Sequence, residues 1–284
     1  MSWKAVRIVL LLAVLAIVAS DAWFERQRAV TWRATIRVAL QPFADDDSTV
    51  TRDYVAGLGP LAFAPVETFL RASAGSHGLP LTEPVRIELE PVLASPPPPP
   101  PADPGPLGAL WWQLRMRLYA ARIGRGVAGP RPHVRLFVLY HDPAQSPRVP
   151  HSLALRKGQL GLVHAFASAD MNGSNDVVIA HELLHVFGAT DKYDPVTNAP
   201  RFPEGYGEPG LVPRYPQRLA EIMAGRRAVS ATKFETPESL DDCIVGAATA
   251  VEIHWPQRAS PLPGVAAVRP GTWLQVAPAQ REAP

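Results

Sequence analysis

The sequence predicts a single α/β domain that is organised around one buried helix. Segments typical of strands alternate with segments typical of helices, which is the pattern of a sheet with helices packed against it. The predicted strands are residues 35–40, 85–89, 134–140 and 159–166. The predicted helices are residues 65–72, 110–122, 177–187 and 237–251. A chain of 284 residues is long enough to bury a full core around them.

Hydrophobic patterning distinguishes the strands from one another. Residues 35–40 and 85–89 alternate apolar and other side chains, which is typical of strands that bury one face. Residues 134–140 are apolar almost throughout, so we expect that strand to be central. Pro65 and Pro237 each stand where a predicted helix begins, at a position that tolerates proline.

The predicted helix at residues 110–122 has apolar side chains on one face and arginines on the other. The apolar face consists of Trp111, Leu114, Leu118 and Ala121. We expect this face to pack on the core, since amphipathic helices of globular proteins bury their apolar stripe. Binding to a membrane surface through the arginine face and Trp112 is the alternative.

The chain divides into an export segment, one domain and a tail. Residues 1–24 have positive residues followed by a short apolar run, the pattern of a signal peptide or an N-terminal membrane anchor. Residues 30–255 are predicted to form the main domain, with a proline-rich insert at residues 95–106 in the polyproline II conformation. Residues 256–284 are a proline-rich tail, expected to be poorly ordered.

Composition limits where the protein acts and what it binds. We expect an exported protein, periplasmic or extracellular, that could be tethered to the membrane through residues 8–24. A formal net charge of +2 is too small to indicate nucleic acid as a partner. Cys243 is the only cysteine, which excludes internal disulfides and any cysteine-rich zinc site.

The residues that carry the chemistry lie in the predicted helix at 177–187. It contains His181, Glu182 and His185 in the pattern HExxH. Residues at i and i+4 share one face of a helix, so the two imidazoles can be directed at one point. Two imidazole nitrogens suit Zn²⁺, which in catalytic sites takes a third protein ligand and leaves one position open to water. Glu182 can reach that water and accept its proton without ligating the metal.

Gly188 and Asp191 complete the predicted site. Glycine at the end of a helix can adopt a positive φ and turn the chain sharply. Asp191 follows three residues later and offers an oxygen ligand, with Asp194 as the alternative. At the other end of the helix, residues 174–176 (Ser-Asn-Asp) are candidates for the N-cap.

The complete pattern HExxHxxGxxD at residues 181–191 resembles the metzincin clan of zinc endopeptidases, in the variant with aspartate in place of the usual third histidine. That variant is found in snapalysin-like enzymes, and residues 188–194 also look similar to immune-inhibitor-A-like peptidases. Metzincins carry a methionine turn beneath the metal, and Met223 in the segment 221–225 matches it. The resemblance covers residues 133–255.

The resemblance implies a metzincin-like fold of the α/β (α+β) class. Its elements would be a twisted mixed sheet with an antiparallel edge strand at residues 159–166, a central active-site helix, the methionine turn and a C-terminal helix. It further implies one catalytic Zn²⁺ held by His181, His185 and Asp191. Glu182 would be the general base in the hydrolysis of a protein or peptide substrate.

A segment rich in proline, glycine and tyrosine follows Asp191 and is expected to border the substrate. A tyrosine hydroxyl there could donate a hydrogen bond to the developing oxyanion. The candidates are Tyr193, Tyr206 and Tyr215. His164 lies on the predicted edge strand and aligns with a structural-zinc histidine of matrix metalloproteinases. The companion aspartate and histidines are absent at a recognisable spacing, so we do not extend that second metal ion to this chain.

Other interpretations stay open. The two histidines could be hydrogen-bonded core residues of a buried helix. A gluzincin-type site would take its third ligand from a glutamate, and Glu204 is the nearest, although it lies in a segment whose proline and glycine oppose a helix. The chain could also be an exported zinc-binding protein without catalysis, or a membrane-tethered binding module without metal.

Overall fold

The computed structural model describes residues 3–8, 11, 12, 15, 31–101, 105–124, 130–155 and 159–256. Most of the predicted export segment and nearly all of the predicted tail lie outside the described residues. Among the residues that are described, no helix has both the length and the apolar character needed to cross a membrane.

The described chain is a mixed α/β domain, as the sequence predicts. The strands of the main sheet are β1 (Ile36–Ala44), β2 (Val85–Leu89), β3 (Val134–His141), β4 (Leu153–Leu155) and β5 (Leu160–Phe166). The helices of the domain are α1 (Thr49–Ala56), α2 (Ala64–Ser76), α3 (Pro106–Ile123), α4 (Asn172–Phe187) and α5 (Ala247–Glu252). Short strands follow at β6 (Ala220–Glu221), β7 (Arg227–Ala228), β8 (Phe234–Glu235) and β9 (Cys243–Ile244).

The main sheet has the strand order β2-β1-β3-β5-β4. Strands β2, β1, β3 and β5 are parallel, and β4 is antiparallel to β5. The prediction that residues 159–166 form the edge strand is therefore wrong, because β5 has a neighbour on each side. Its residues are buried almost throughout, as expected for an internal strand. The strand at this edge of the sheet is β4, whose three residues are too few to show a periodic pattern. Strand β2 lies at the other edge.

Each face of the sheet is covered by its own helices. Helices α2 and α4 pack on the face that presents Leu136, Val138 and Val163, and these residues form the larger core cluster. Helix α3 packs on the opposite face against Phe137 and Leu162 in the smaller cluster. Burial on both faces explains why the residues of β3 are apolar almost throughout.

The predicted inward face of α3 is wrong. Trp112, Met116 and Ala120 pack on the sheet, whereas the predicted core residues Trp111, Leu114 and Leu118 are exposed to solvent. The indole Nε1 of Trp112 donates a hydrogen bond to the carbonyl oxygen of Pro98, 2.8 Å away, so the proline-rich insert covers this end of the helix.

Both faces of α3 carry large apolar residues, so periodicity alone could not decide which one is buried.

The predicted long helix at residues 237–251 is also wrong. The chain forms a 3₁₀ turn at Leu240–Asp242, the short strand β9, and only then helix α5. Strand β9 pairs in parallel with β6, and the amide of Gly246 donates to the Glu221 carboxylate. The local sequence favours a helix here, but the backbone of β9 pairs with β6 instead of forming helical hydrogen bonds.

Asp176 is a buried carboxyl group on α4 that makes folding stability depend on pH. Burial raises the pKa of Asp176 from 3.8 to about 7. Between these values the folded protein holds a proton that the unfolded chain has released, so stability falls as pH rises through this window. Above about pH 7 the full penalty of a buried charge is present.

We expect Asp176→Asn to stabilise the protein at pH 8, by an amount on the order of 2 kcal/mol, and to have much less effect at pH 5. Chemical denaturation at the two pH values measures this difference. Asp170→Asn, at an exposed position in the turn before α4, is the control and should show no such dependence. Equal effects of Asp176→Asn at both pH values would contradict the assignment.

Candidate metal centre

The N-terminal half of α4 is fixed to strand β5. The helix begins at Asn172, so residues 174–176 lie inside its first turns and the prediction that they supply the N-cap is wrong. The side chain of Asn175 instead accepts a hydrogen bond from the amide of Phe166 (2.9 Å) and donates one to its carbonyl oxygen (2.8 Å). This pairing holds the helix in register with the neighbouring strand.

The predicted glycine turn at the other end of α4 is confirmed. Gly188 has a φ of 125°, in the region that favours glycine. The amides of Gly188 and Ala189 both donate to the carbonyl oxygen of Leu184, at 3.1 and 3.0 Å. The chain therefore reverses immediately after the helix and brings Asp191 back beside it.

The structure brings His181, His185 and Asp191 together. The Oδ1 atom of Asp191 lies 3.4 Å from the Nε2 atom of His181 and 3.0 Å from the Nε2 atom of His185. Two ligands about 2.0–2.1 Å from a tetrahedral Zn²⁺ are separated by roughly 3.3 Å. Both carboxylate–imidazole separations therefore lie close to the spacing around a single tetrahedral cation, and all three ligand atoms lie within 4.8 Å of one another.

The other nitrogen of each ring determines which atoms face this point. The Nδ1 atoms of His181 and His185 lie 2.9 Å from the carbonyl oxygens of Ile222 and Ala189. A carbonyl oxygen only accepts, so each Nδ1 carries a proton and each neutral imidazole keeps its lone pair on Nε2. Two nitrogen lone pairs and the carboxylate of Asp191 then converge, and a cation is the group that satisfies all three.

The pKa shifts of Asp191 and His181 agree with this close approach of the three side chains. Burial acts to raise the pKa of Asp191, but hydrogen bonds to His181 and His185 outweigh it and hold that pKa well below its usual value. Burial acts to lower the pKa of His181, but contact with Asp191 and the charge of Glu182 outweigh it and raise that pKa. The site therefore attracts positive charge, whether this is a proton or a metal ion.

Glu182 lies beside the three ligands and is buried, with 7% of its surface exposed. Its Oε2 atom has no hydrogen-bond partner among the described residues. Burial is the main cause that raises its pKa. A buried carboxylate oxygen without a partner is costly, and a water molecule beside the metal would satisfy it. The residues present thus fit a zinc ion.

Asp191 is held in place by contacts on both sides of it. The ammonium group of Lys192, which is buried, lies 2.7 Å from Glu252 of helix α5. The carboxylate of Glu252 also accepts hydrogen bonds from the amide and the hydroxyl of Thr190, at 2.7 and 2.6 Å. Sequence reasoning missed this clamp because Glu252 is far along the chain and belongs to no motif.

Met223 lies in the 3₁₀ turn Ile222–Ala224 and is fully buried. The same turn supplies the carbonyl oxygen that fixes His181, and the amide of Lys192 donates to the Met223 carbonyl oxygen at 2.8 Å. Glu221, also fully buried, accepts hydrogen bonds from Ala224 and from Thr249. The turn therefore joins α4, the Asp191 loop and α5.

A cleft with a volume of about 750 Å³ opens in front of the three ligands. Strand β4 and the loop before it form one wall, and Thr236 and Pro237 lie at another side. Tyr193 also lines the cleft. Burial and the neighbouring Asp191 raise the pKa of its hydroxyl, so Tyr193 stays a hydrogen-bond donor at neutral pH.

The other candidates lie apart from the three ligands. The hydroxyl groups of Tyr206 and Tyr215 lie 3.1 Å from one another, and Tyr206 lines a different groove, beside α2. Asp194 accepts hydrogen bonds from the amides of Val196 and Thr197 within its own turn. Glu204 is exposed and also lines the groove beside α2.

No protein-family model matches this sequence, and no curated protein matches it either. The candidate metal centre is therefore supported by the geometry and chemistry of its own residues.

Asp191→Ala is expected to weaken zinc binding by about tenfold or more, since it removes one of three protein ligands. Asp194→Ala removes a carboxylate only three residues away and should leave zinc affinity unchanged. Competition with a chromophoric chelator measures both affinities. Loss of zinc in the Asp194→Ala protein alone would identify Asp194 as the third ligand instead.

Proposed function

We propose that the protein is a zinc-dependent endopeptidase of the metzincin type that hydrolyses peptide bonds. One observation carries the proposal: two imidazole lone pairs and the Asp191 carboxylate converge at 3.0–3.4 Å, with the unpartnered Oε2 of Glu182 beside them. Hydrolytic zinc sites need such an arrangement, with three ligands, an open position and a nearby base.

Each residue has one role in this proposal. His181, His185 and Asp191 bind one Zn²⁺, which when bound supplies a Lewis acid for the scissile carbonyl and for a water molecule. Glu182 accepts the proton of the attacking water, and its raised pKa suits it to return that proton to the leaving amine. Tyr193, the tyrosine beside Asp191, is the best placed of the three candidates to donate to the oxyanion.

The wall of the cleft favours an extended peptide as substrate. Residues Ser152, Leu153 and Ala154 line the cleft, and the last two belong to the antiparallel strand β4 at the end of the sheet. An extended peptide can add to a sheet at such an edge through main-chain hydrogen bonds. The peptide would then lie across the ligands with a carbonyl group near Glu182.

We further propose that the protein acts outside the cytoplasm, on the pattern of residues 1–24. A zinc-binding protein without catalysis is the rival proposal, because the same three ligands would serve it. The unpartnered, buried carboxylate oxygen of Glu182 favours catalysis, since a structural zinc site is closed by a fourth ligand and needs no base.

Glu182→Gln is expected to lower the rate of peptide hydrolysis by about 10²- to 10⁴-fold, because the amide cannot accept the proton. Zinc content should stay at the wild-type value. A library of fluorogenic peptides and elemental analysis provide the two measurements.

Glu204→Gln, at an exposed position outside the cleft, is the matched control and should cleave at the wild-type rate. Unchanged cleavage by Glu182→Gln would refute the role of Glu182. Wild-type protein that binds zinc but cleaves no peptide of the library would favour the rival proposal.

A further inference from the structure

A second cluster of metal-ligating side chains lies at the carboxyl end of the main sheet. It consists of Asp45, His141 and His164, whose ligand atoms all lie within 4.8 Å of one another. Asp45 follows β1 directly, His141 is the last residue of β3, and His164 lies in β5. The cluster shares no residue with the candidate metal centre on α4.

The register of the sheet explains why these three residues meet. His164 of β5 pairs with Leu139 of β3, so His141, two residues further on, lies on the same face as His164. Continuing the register of β1 and β3 by one residue sets Asp45 opposite His141. By this register the three residues lie on the face of the sheet on which α3 packs, and His164 also borders the cleft in front of the candidate metal centre.

The distances in this cluster suit a single cation. The Nε2 atom of His141 lies 2.8 Å from the Nδ1 atom of His164 and 3.6 Å from the Oδ2 atom of Asp45. These separations lie on either side of the roughly 3.3 Å between two ligands of a tetrahedral zinc ion. The 2.8 Å contact has the length of a hydrogen bond between the two rings, which are stacked at an angle of 27°.

Both histidines are buried, with 6% of the surface of each exposed. Burial and the neighbouring His141 lower the pKa of His164 to about 4. Burial disfavours the charged form of an imidazole, and the neutral form is the one that binds metals.

The segments around the cluster are fixed by other groups. The carboxylate of Asp46 accepts hydrogen bonds from the amides of Asp142 and Ser48, at 2.7 and 3.1 Å. Asp142 in turn accepts from the Ser48 hydroxyl at 2.8 Å. These contacts leave the Asp45 carboxylate facing His141, and its side chain is 28% exposed, which provides a path for an ion to enter.

We propose that Asp45, His141 and His164 bind a second divalent transition-metal ion, with zinc favoured by two nitrogen ligands and one oxygen ligand. The ion would join the ends of β1, β3 and β5, and water would complete its coordination. A ligand that binds only the folded state stabilises it, so its role is structural and does not depend on peptide hydrolysis.

The experiment separates the two sites in the full-length protein. The variant His181→Ala/His185→Ala lacks the ligands of the α4 site and should bind one zinc per chain by elemental analysis. Adding Asp45→Asn in that background should lower the remaining zinc affinity by about tenfold or more and reduce the rise in Tm on adding zinc. His254→Asn, which removes an exposed imidazole at a residue whose φ of 61° suits asparagine, is the control.

The outcomes separate the two proposals. No zinc in the folded His181→Ala/His185→Ala protein would overturn the second site and leave the proposed endopeptidase intact. Unchanged zinc affinity after Asp45→Asn would overturn this ligand set. If the double variant does not fold, Asp45→Asn in the wild-type background tests the site instead. The wild type should bind two zinc ions per chain. In the Asp45→Asn protein, one of these two ions should bind more weakly.

The outward face of α3 supports a second inference, which is independent of the metal sites. It exposes five large apolar side chains at positions i, i+3, i+4, i+7 and i+11 of one stripe, while the opposite face packs on the sheet. These side chains are Leu107, Leu110, Trp111, Leu114 and Leu118. Their exposed fractions range from 43% at Leu114 to 82% at Leu107, so the stripe is available to a partner.

Charge identifies the kind of partner. Helix α3 contains Arg115, Arg117 and Arg122 and no acidic residue. At 100° per residue these arginines flank the apolar stripe on its two sides. A second copy of the chain facing this stripe would bring like charges together, whereas an anionic lipid surface complements both the stripe and the arginines.

We propose that the outward face of α3 binds the surface of an anionic membrane. The leucines and Trp111 would enter the boundary between headgroups and acyl chains, and the exposed Arg115 and Arg122 would extend to the lipid phosphates. This contact would orient the domain on the membrane whether or not the N-terminal segment also anchors it.

A fluorophore at position 111 tests this contact directly. Cys243 is buried and its thiol pKa is raised to about 12, mainly by burial, so a polarity-sensitive maleimide should label Trp111→Cys at the new thiol alone. Vesicles of phosphatidylcholine and phosphatidylglycerol should shift its emission to shorter wavelength. The label on Leu61→Cys, at an exposed position before α2, should not respond.

Emission at position 111 that stays unchanged while the protein cosediments with the vesicles would overturn the proposal. An equal shift with vesicles of phosphatidylcholine alone would reject the role of anionic lipid. A shift that depends on protein concentration without vesicles would show that a second copy of the chain covers the face.

Discussion

The structure depends on the convergence of three hydrogen-bond acceptors at one point. His181 and His185 each use Nδ1 to donate to a backbone carbonyl oxygen, so in its neutral form each offers a lone pair on Nε2 to the point where the Asp191 carboxylate lies. Without a positive charge this arrangement would be repulsive. The surrounding fold is built to maintain it: α4 presents the rings, Gly188 returns the chain, and the clamp between Lys192 and Glu252 fixes the loop.

The sheet connects this site to the rest of the domain. Asn175 joins α4 to β5 through both backbone groups of Phe166, and β5 lies between β3 and the edge strand β4. The cleft, the ligands and the edge strand are thus connected through β5. His164, on the other face of β5, belongs to the second cluster, so a metal there would stabilise the strand on which the cleft is built.

Much of the domain could be predicted from local sequence. Strands β1, β2 and β3 and helices α2 and α4 lie close to their predicted positions because each has a strong periodic or continuous apolar pattern. Predictions failed where two arrangements satisfy the same pattern. Helix α3 is apolar on both faces, and β5 has the composition of either an edge or an internal strand, so their neighbours decided the outcome.

The sequence by itself determined the residues of the candidate metal centre, because the helical repeat sets His181 and His185 on one face and Gly188 permits the turn to Asp191. Only the tertiary structure decided what supports them and what else meets in space. Glu252, Glu221 and the set Asp45, His141 and His164 come together through strand register and chain reversal over long sequence separations. Contacts of that kind depend on how the whole chain packs, and no local pattern of residues encodes them.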